Sequence, residues 1–271
     1  MQDRLPTSMK FGWGMGSIGP ITMMYLISFF AILYMVQFLG IPAATAGAIL
    51  FFTKVINFVT DPIIGAVSDR ANFSWGRRRP FMLIGGVIGS LACVAFFNAP
   101  ETDSMTGVIT YMSVVTVIYF TAYTMFNVPY LAMPAEMTSN SDERTSIMTW
   151  RVVFVSVSAF LGLALAPYII ELAGEGRSGF SIMGAVMGLL LLIGMLYAVY
   201  ATRHAHHTAH QQSEDYSLGQ QFKTALENKP FFFITTAKFV QLLGIATTAA
   251  ALGLVTTHII GGGFALMKWY G

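Results

Sequence analysis

Long apolar runs are the feature that most constrains how this chain can fold. A helix of about 20 residues crosses a hydrocarbon core of ~30 Å. The runs predict seven membrane-spanning helices, at Phe11 to Leu39, Ala43 to Ser68, Phe81 to Asn98, Met105 to Met133, Ile147 to Ile170, Phe180 to Ala201 and Phe231 to Ile260. We therefore expect an all-α membrane protein that lies in a lipid bilayer.

Composition supports the same conclusion. Of the 271 residues, 55% are hydrophobic and 10% are charged, and the mean hydropathy is +0.64. One water-soluble core cannot hide that much apolar surface. Cys93 is the single cysteine and lies within an apolar run, which argues against a cysteine metal site. The formal charge of +2 gives no reason to expect a nucleic-acid partner.

The distribution of lysine and arginine predicts the orientation, because positively charged loops stay in the cytoplasm. One side of the predicted membrane has only Arg177 before the seventh span ends. The other side has Arg4, Lys10, Arg70, Arg77, Arg78, Arg79, Arg144, Arg203, Lys223 and Lys229. We expect a multi-pass protein of the cell membrane with its amino terminus in the cytoplasm.

The spacing of the spans predicts the domain organisation. Six spans, a long joint and a new span are typical of the midpoint of a transporter built from two six-helix bundles. We expect an N-terminal bundle at 1–201, a cytoplasmic linker at 202–230 and the first helix of a C-terminal bundle at 231–271. The chain is then expected to be incomplete, and its partner would be the missing C-terminal half.

The linker has two local patterns. Leu218, Phe222 and Leu226 recur at helical spacing, which predicts a short amphipathic helix on the membrane surface. The segment from His204 to His210 contains four histidines and could bind a metal. A solvated linker is the preferred interpretation, because no cysteine or carboxylate stands at ligand spacing. We therefore expect neither a metal site nor a cofactor.

Polar side chains within the second span are candidates for cation coupling. Lys54, Asn57 and Asp61 stand at i, i+3 and i+7, which places them on one face of a helix. Ionisable groups at membrane depth are costly and usually face a cavity. The alternative is that Lys54 and Asp61 form a structural pair, or that Asp61 marks only the end of the span.

The fourth and fifth spans supply candidates for substrate binding. The fourth has Tyr123, Thr124, Asn127 and Tyr130 on one face, and the fifth has Trp150 and Arg151. Amide, hydroxyl and guanidinium groups beside aromatic rings suit a polyhydroxylated ligand, so a sugar is expected. As alternatives, the tyrosines belong to an interfacial belt and Asn127 joins two helices. The spans contain no nucleophile–base pair or carboxylate dyad, so an enzyme is not expected.

Several segments together resemble one transporter family. They are Thr60-Asp61-Pro62-Ile63-Ile64-Gly65, Ser68-Asp69-Arg70, Trp75-Gly76-Arg77-Arg78-Arg79-Pro80-Phe81, Asn127-Val128-Pro129-Tyr130, Met133-Pro134-Ala135-Glu136-Met137-Thr138 and Asp142-Glu143-Arg144-Thr145. The pattern is similar to that of the glycoside–pentoside–hexuronide:cation symporters of the major facilitator superfamily. The match extends over most of the chain, and the segment from Asp61 to Pro80 is its most specific part.

The resemblance implies a major facilitator fold that moves a sugar and a coupling cation by alternating access. Asp61 and Thr124 match cation-site positions of the family, and Arg151 matches a sugar-site arginine. The cytoplasmic gate motif is matched by Gly65, Asp69, Arg70, Arg77 and Arg78. From the residues alone, the same arginines could equally anchor a loop at the membrane surface.

The chain also departs from the family pattern. No carboxylate occurs between Gly12 and Ser17, Asn57 and Asn127 stand where acids are usual, and Leu131 stands where a sugar-stacking tryptophan is usual. Lys54 and Arg151 then outnumber the one intramembrane carboxylate, whereas sodium prefers hard oxygen ligands and negative charge. We expect a proton symporter rather than a sodium symporter. An uncoupled sugar uniporter or a non-transporting sugar sensor is the alternative.

Overall fold

The computed structural model describes residues 4–71, 73, 75–102, 104–174, 176–203, 205 and 228–254, which are helical wherever they form regular structure. The chain divides into two units. The first contains the described residues up to Ala205, and the second contains the helix Lys229–Leu254.

Among the described residues, six helices of the first unit are long and apolar enough to span a membrane. The first span runs over Thr7–Ala31, where helices Thr7–Met15 and Ile18–Leu26 lead into a π-helical segment, Ile27–Ala31, and a second π-helical segment follows at Tyr34–Phe38. The others are Ala43–Arg70, Arg79–Phe97, Met105–Met137, Ser141–Leu172 and Arg177–Ala201. The fifth span, Ser141–Leu172, contains helix Ser141–Phe160, a π-helical segment Leu161–Leu165 and helix Ala166–Leu172. The all-α membrane fold is confirmed, and the chain is a multi-pass membrane protein.

Several helix ends lie beyond the apolar runs that predicted them. The fifth span begins at Ser141, about two turns before Ile147, and the fourth continues to Met137. The extra residues of the fifth span, from Ser141 to Ser146, are polar and need capping rather than lipid contact. The Asn140 side chain accepts a hydrogen bond from the Asp142 backbone N–H at 2.8 Å, which satisfies one of the free donors at the start of the fifth span. Hydropathy identifies the part of a helix that lies in lipid, whereas capping interactions determine the residues at which the helix begins and ends.

The predicted seventh span corresponds to helix Lys229–Leu254 of the second unit. The remaining residues of Phe231 to Ile260 lie outside the described part of the chain. The predicted amphipathic helix around Leu218, Phe222 and Leu226, and the histidines of the linker, also lie outside it.

The third span packs between the fourth and sixth spans. Glycine allows these helices to approach each other closely. A Cβ on Gly85 would lie 2.6 Å from the backbone nitrogen of Phe126, and one on Gly184 would lie 2.7 Å from the Cβ of Phe97. The second span is peripheral: only 11% of its apolar window is buried, and it packs mainly on the fourth. Its polar face therefore meets the fourth span.

Candidate functional site

Asp61 and Thr124 join the second and fourth spans. The Thr124 hydroxyl donates to Asp61 Oδ1 at 2.7 Å. Thr124 is buried, whereas the Asp61 residue lies at the surface of the bundle. The two residues that match cation-site positions are thus in direct contact, which their separation of 63 residues along the chain could not reveal.

Asn57 lies one turn before Asp61 on the same helix. It is 8% exposed, and its Oδ1 atom is buried without a hydrogen-bond partner among the described residues. A buried acceptor without a partner costs free energy, so the Asn57 oxygen is available to a ligand or a water molecule. Carboxylate, hydroxyl and amide oxygens are the ligand types that hard cations prefer.

Lys54 contacts an aromatic ring rather than the carboxylate. Its Nζ atom lies 4.1 Å from the centre of the Phe120 ring, a cation–π geometry. Among the described residues, Lys54 and Asp61 are not within ion-pair distance of each other, although the Asp61 carboxylate is close enough to act electrostatically on the Lys54 ammonium. The ammonium and carboxylate still share one face of the second span.

Tyr123 and Asn127 lie one turn apart on the fourth span and are hydrogen-bonded to each other. The Asn127 amide donates to the Tyr123 hydroxyl at 3.3 Å, and that hydroxyl donates to Met24 Sδ at 3.5 Å. Both residues are half-buried. Tyr123 also lies within electrostatic reach of both Asp61 and Arg151. Tyr123 is therefore near both the candidate cation site and the candidate substrate site.

Arg151 is half-buried on the fifth span. Its Nε atom is buried and has no hydrogen-bond partner among the residues that the structure describes. Guanidinium groups donate through a planar fork, which can bind two oxygens at once. Arg151 can thus bind a ligand that brings hydroxyl or carboxylate oxygens.

Tyr130 packs against the first span. It is 1% exposed, and its ring stacks on Trp13 with centroids 4.6 Å apart. Its hydroxyl donates to the Trp13 carbonyl at 3.0 Å and lies 2.8 Å from the Ser17 hydroxyl. The hydroxyl and the ring of Tyr130 both contact the first span. Tyr130 therefore joins the first and fourth spans and does not share the hydrogen bond between Tyr123 and Asn127.

Trp150 also faces the first span. Its ring meets Phe11 edge to face, with centroids 5.3 Å apart, and a Cβ on Gly14 would lie 2.9 Å from the Trp150 Cβ atom. The residue is half-buried. The structure therefore brings Asp61, Thr124, Tyr123 and Asn127 together, while Trp150 and Tyr130 mainly hold the first span in place.

A second cluster lies where the second and fourth spans end. Glu136 Oε1 accepts hydrogen bonds from Arg77 Nε at 3.0 Å and from Arg78 Nε at 2.7 Å. Arg78 also pairs with Asp69 at 2.6 Å, and Arg77 donates to the Asp69 carbonyl at 3.4 Å. The loop between the second and third spans is thereby attached to the fourth span.

The sequence pattern predicts no role for Glu136, although this residue lies within the family-like segment from Met133 to Thr138. The available signal was a carboxylate two residues after Pro134, at the end of the fourth span and on the same side of the predicted membrane as the three arginines. The other two gate residues contribute differently. Arg70 is exposed, and a Cβ on Gly65 would meet only Val128, at 3.7 Å, so tight packing does not require glycine there in this conformation.

Residues 12–271 match the family described as MFS/sugar transport protein. The match covers far more than half of the chain. The chain belongs to the MFS/sugar transport family. The resemblance to sugar symporters of the major facilitator superfamily is thereby confirmed, and the family consists of membrane transporters.

Curated relatives agree with the family assignment. An uncharacterized symporter of Synechocystis is 31% identical over 72% of this chain and 37% of its own length. The uncharacterized symporter YjmB of Bacillus subtilis is 31% identical over 96% of this chain and 57% of its own. The putative glycoside/cation symporter YagG of Escherichia coli is 27% identical over 85% of this chain and 50% of its own. The chain thus spans about half the length of these relatives.

Replacing Glu136 by glutamine should destabilise this family member. Glutamine keeps the shape but removes the charge that holds Arg77 and Arg78, whose side chains are 22% and 12% exposed. Partly buried pairs of this kind are worth about 1–3 kcal/mol, so we expect the melting temperature in detergent to fall by several degrees. The exposed Glu101 supplies the matched control, and Glu101→Gln should leave it unchanged. Equal melting temperatures for both variants would contradict the assigned role of Glu136.

Proposed function

We propose that the complete protein is a secondary active transporter that moves a sugar or glycoside across the cell membrane by alternating access, as a cation symporter. The observation that carries the proposal is the contact between Thr124 and Asp61, which links two spans at 2.7 Å. Asn57 lies one turn away with a buried, unpartnered oxygen. A carboxylate that depends on one hydroxyl partner can exchange that partner for a proton or a cation.

The neighbouring side chains support a sugar as the substrate. Asn127, Tyr123 and Arg151 offer amide, hydroxyl and guanidinium groups, and Tyr123 adds an aromatic face. Sugars present several hydroxyl groups and apolar ring faces, which match such a set. One relative is named a putative glycoside/cation symporter and another an isoprimeverose transporter, which also supports a sugar or glycoside.

The charge balance favours a proton over sodium as the coupling ion. Asp61 is the one carboxylate of this cluster, while Asn57 and Asn127 are neutral and Lys54 and Arg151 are positive. Sodium binding would add a further positive charge to a site with an excess of them. A proton needs only one carboxylate that is exposed alternately to the two sides.

An uncoupled sugar uniporter is the second candidate, and the neutral Asn57 and Asn127 favour it. Uptake by the full-length protein in membrane vesicles separates the two. A symporter accumulates sugar above its external concentration when an inward proton gradient is imposed. A uniporter only equilibrates it, and a sensor that does not transport gives no uptake. Proteoliposomes without the protein provide the background.

The predicted orientation can be tested by thiol labelling in intact cells. A cysteine at Ser141, where the fifth span begins, should react only when reagent reaches the cytoplasm. One at Ser178, in the first turn of the sixth span, should react with impermeant reagent added outside. The expectation rests on the arginine and lysine asymmetry of the loops. The reverse labelling pattern would overturn the orientation and with it the cytoplasmic location of the Arg77–Glu136 cluster.

A further inference from the structure

Three consecutive arginines follow Gly76, and the third differs from the first two. Arg77 and Arg78 bind Glu136, whereas Arg79 is buried, with 5% of its surface exposed. Arg79 is the first residue of the third-span helix Arg79–Phe97. A cation there lies at the positive end of its own helix dipole, which is unfavourable unless another group compensates.

The compensating group is the carboxyl-terminal end of the sixth span. Arg79 Nη1 donates to the carbonyls of Trp75 at 2.7 Å and Arg203 at 2.8 Å. Its Nη2 donates to the carbonyls of Thr202 and Ala205, the second at 3.3 Å. The sixth-span helix ends at Ala201, so the carbonyls of Thr202, Arg203 and Ala205 lie just past its carboxyl-terminal end, which is the negative end of its dipole. The four N–H groups of the two terminal nitrogens can all be used in this way.

We infer that Arg79 is a positioning residue, which binds the loop between the second and third spans to the end of the sixth span and so keeps Arg77 and Arg78 aligned with Glu136. The inference rests on the proposed transport function, in which this cluster forms the cytoplasmic gate. Lysine cannot reproduce the arrangement, because its three N–H groups all belong to one nitrogen atom. The guanidinium group has N–H groups on several nitrogens in one plane and can therefore reach several carbonyls. The four carbonyls explain why an arginine is needed here.

Thiol labelling tests the contact with the sixth span without reference to transport. Thr202 is fully buried, so a cysteine at that position in the full-length Cys93→Ser protein should react slowly with a membrane-permeant maleimide. Losing the Arg79 hydrogen bonds should free the helix end, so Arg79→Gln should raise the labelling rate about tenfold or more, and Arg79→Lys less. Arg203 lies over the Tyr200 ring at the same helix end, and Arg203→Gln should change the rate less than about twofold. An unchanged rate in folded Arg79→Gln would overturn the inference.

Paired variants test the link to the gate. In the full-length protein, Arg79→Gln should lower the rate of net sugar uptake about tenfold, while sugar affinity changes less than about twofold. If Arg79 acts through its neighbours, the double variant Arg77→Gln/Arg79→Gln should lose no more activity than the worse single variant. Multiplicative losses would overturn the positioning role. Where Arg79→Gln does not fold, Arg79→Lys serves in the same comparison. If the wild type takes up no sugar, only the proposed transport function is contradicted. The labelling rate at position 202 would still test the contact between Arg79 and the end of the sixth span.

Discussion

Replacing Arg151 by alanine is expected to abolish sugar binding by the complete protein while leaving it folded in the membrane. The Arg151 Nε atom is buried and lacks a hydrogen-bond partner among the described residues, so no ion pair of the described bundle is lost with it. A charged hydrogen bond contributes about 1.5–3 kcal/mol. Losing a two-pronged contact to sugar hydroxyls should therefore weaken binding about 100-fold or more.

Isothermal titration of purified protein with candidate sugars would measure this effect. Arg144→Ala is the matched control, because it removes an arginine about two turns earlier on the same helix, where the side chain donates to the Thr138 carbonyl at 2.9 Å. The control should bind with unchanged affinity. Arg151→Lys keeps the charge but not the fork, so an intermediate affinity is expected. Unchanged binding by folded Arg151→Ala would place the sugar site elsewhere.

Replacing Asp61 by asparagine is expected to remove accumulation of sugar while sparing sugar exchange. Asparagine keeps an oxygen that can accept the Thr124 hydrogen bond, which is 2.7 Å long in the wild type. It cannot bind a proton at physiological pH, and it does not offer a negative charge to a cation. The second and fourth spans should stay joined, whereas the link between sugar movement and the ion gradient should be lost.

Vesicles loaded with sugar separate these two activities. Counterflow exchange should continue in Asp61→Asn, and uptake driven by an imposed proton gradient should fall to the level of equilibration. The exposed Asp142, in the first turn of the fifth span, supplies the control Asp142→Asn, which should still accumulate sugar. In the wild type, a sodium gradient should not drive uptake. Sodium-dependent sugar affinity at fixed pH would contradict proton coupling and would show that Asn57, Asp61 and Thr124 bind sodium despite Lys54.

Local pattern was sufficient for the spans and for the faces of single helices. Apolar length predicted each of the six spans of the first unit, because a helix that crosses lipid must satisfy its backbone internally and cover it with apolar side chains. The i, i+3 and i+7 spacing placed Lys54, Asn57 and Asp61 on one face. These are properties of a single helix, so they can be read without its neighbours.

Helical spacing could not tell how deeply each residue of a face would be buried. Tyr123 and Tyr130 share a face of the fourth span, yet Tyr123 is half-buried and Tyr130 is stacked on Trp13. Seven residues separate them, which is about 10 Å along a helix axis. The first span packs against the whole ring of Tyr130, whereas it meets Tyr123 at the hydroxyl, through Met24 Sδ. Periodicity contains no information about that difference.

The sequence by itself determined that this chain is a helical membrane protein of a sugar transport family, because hydropathy and local motifs depend on neighbouring residues only. Tertiary structure alone decided the partners of its charged groups. Arg77, Arg78 and Arg79 form one basic run in the sequence, yet the first two bind Glu136 and the third binds the end of the sixth span. Those partners lie 58 to 126 residues further along the chain. Only packing brings such distant carboxylates and carbonyls within the few ångströms over which hydrogen bonds form.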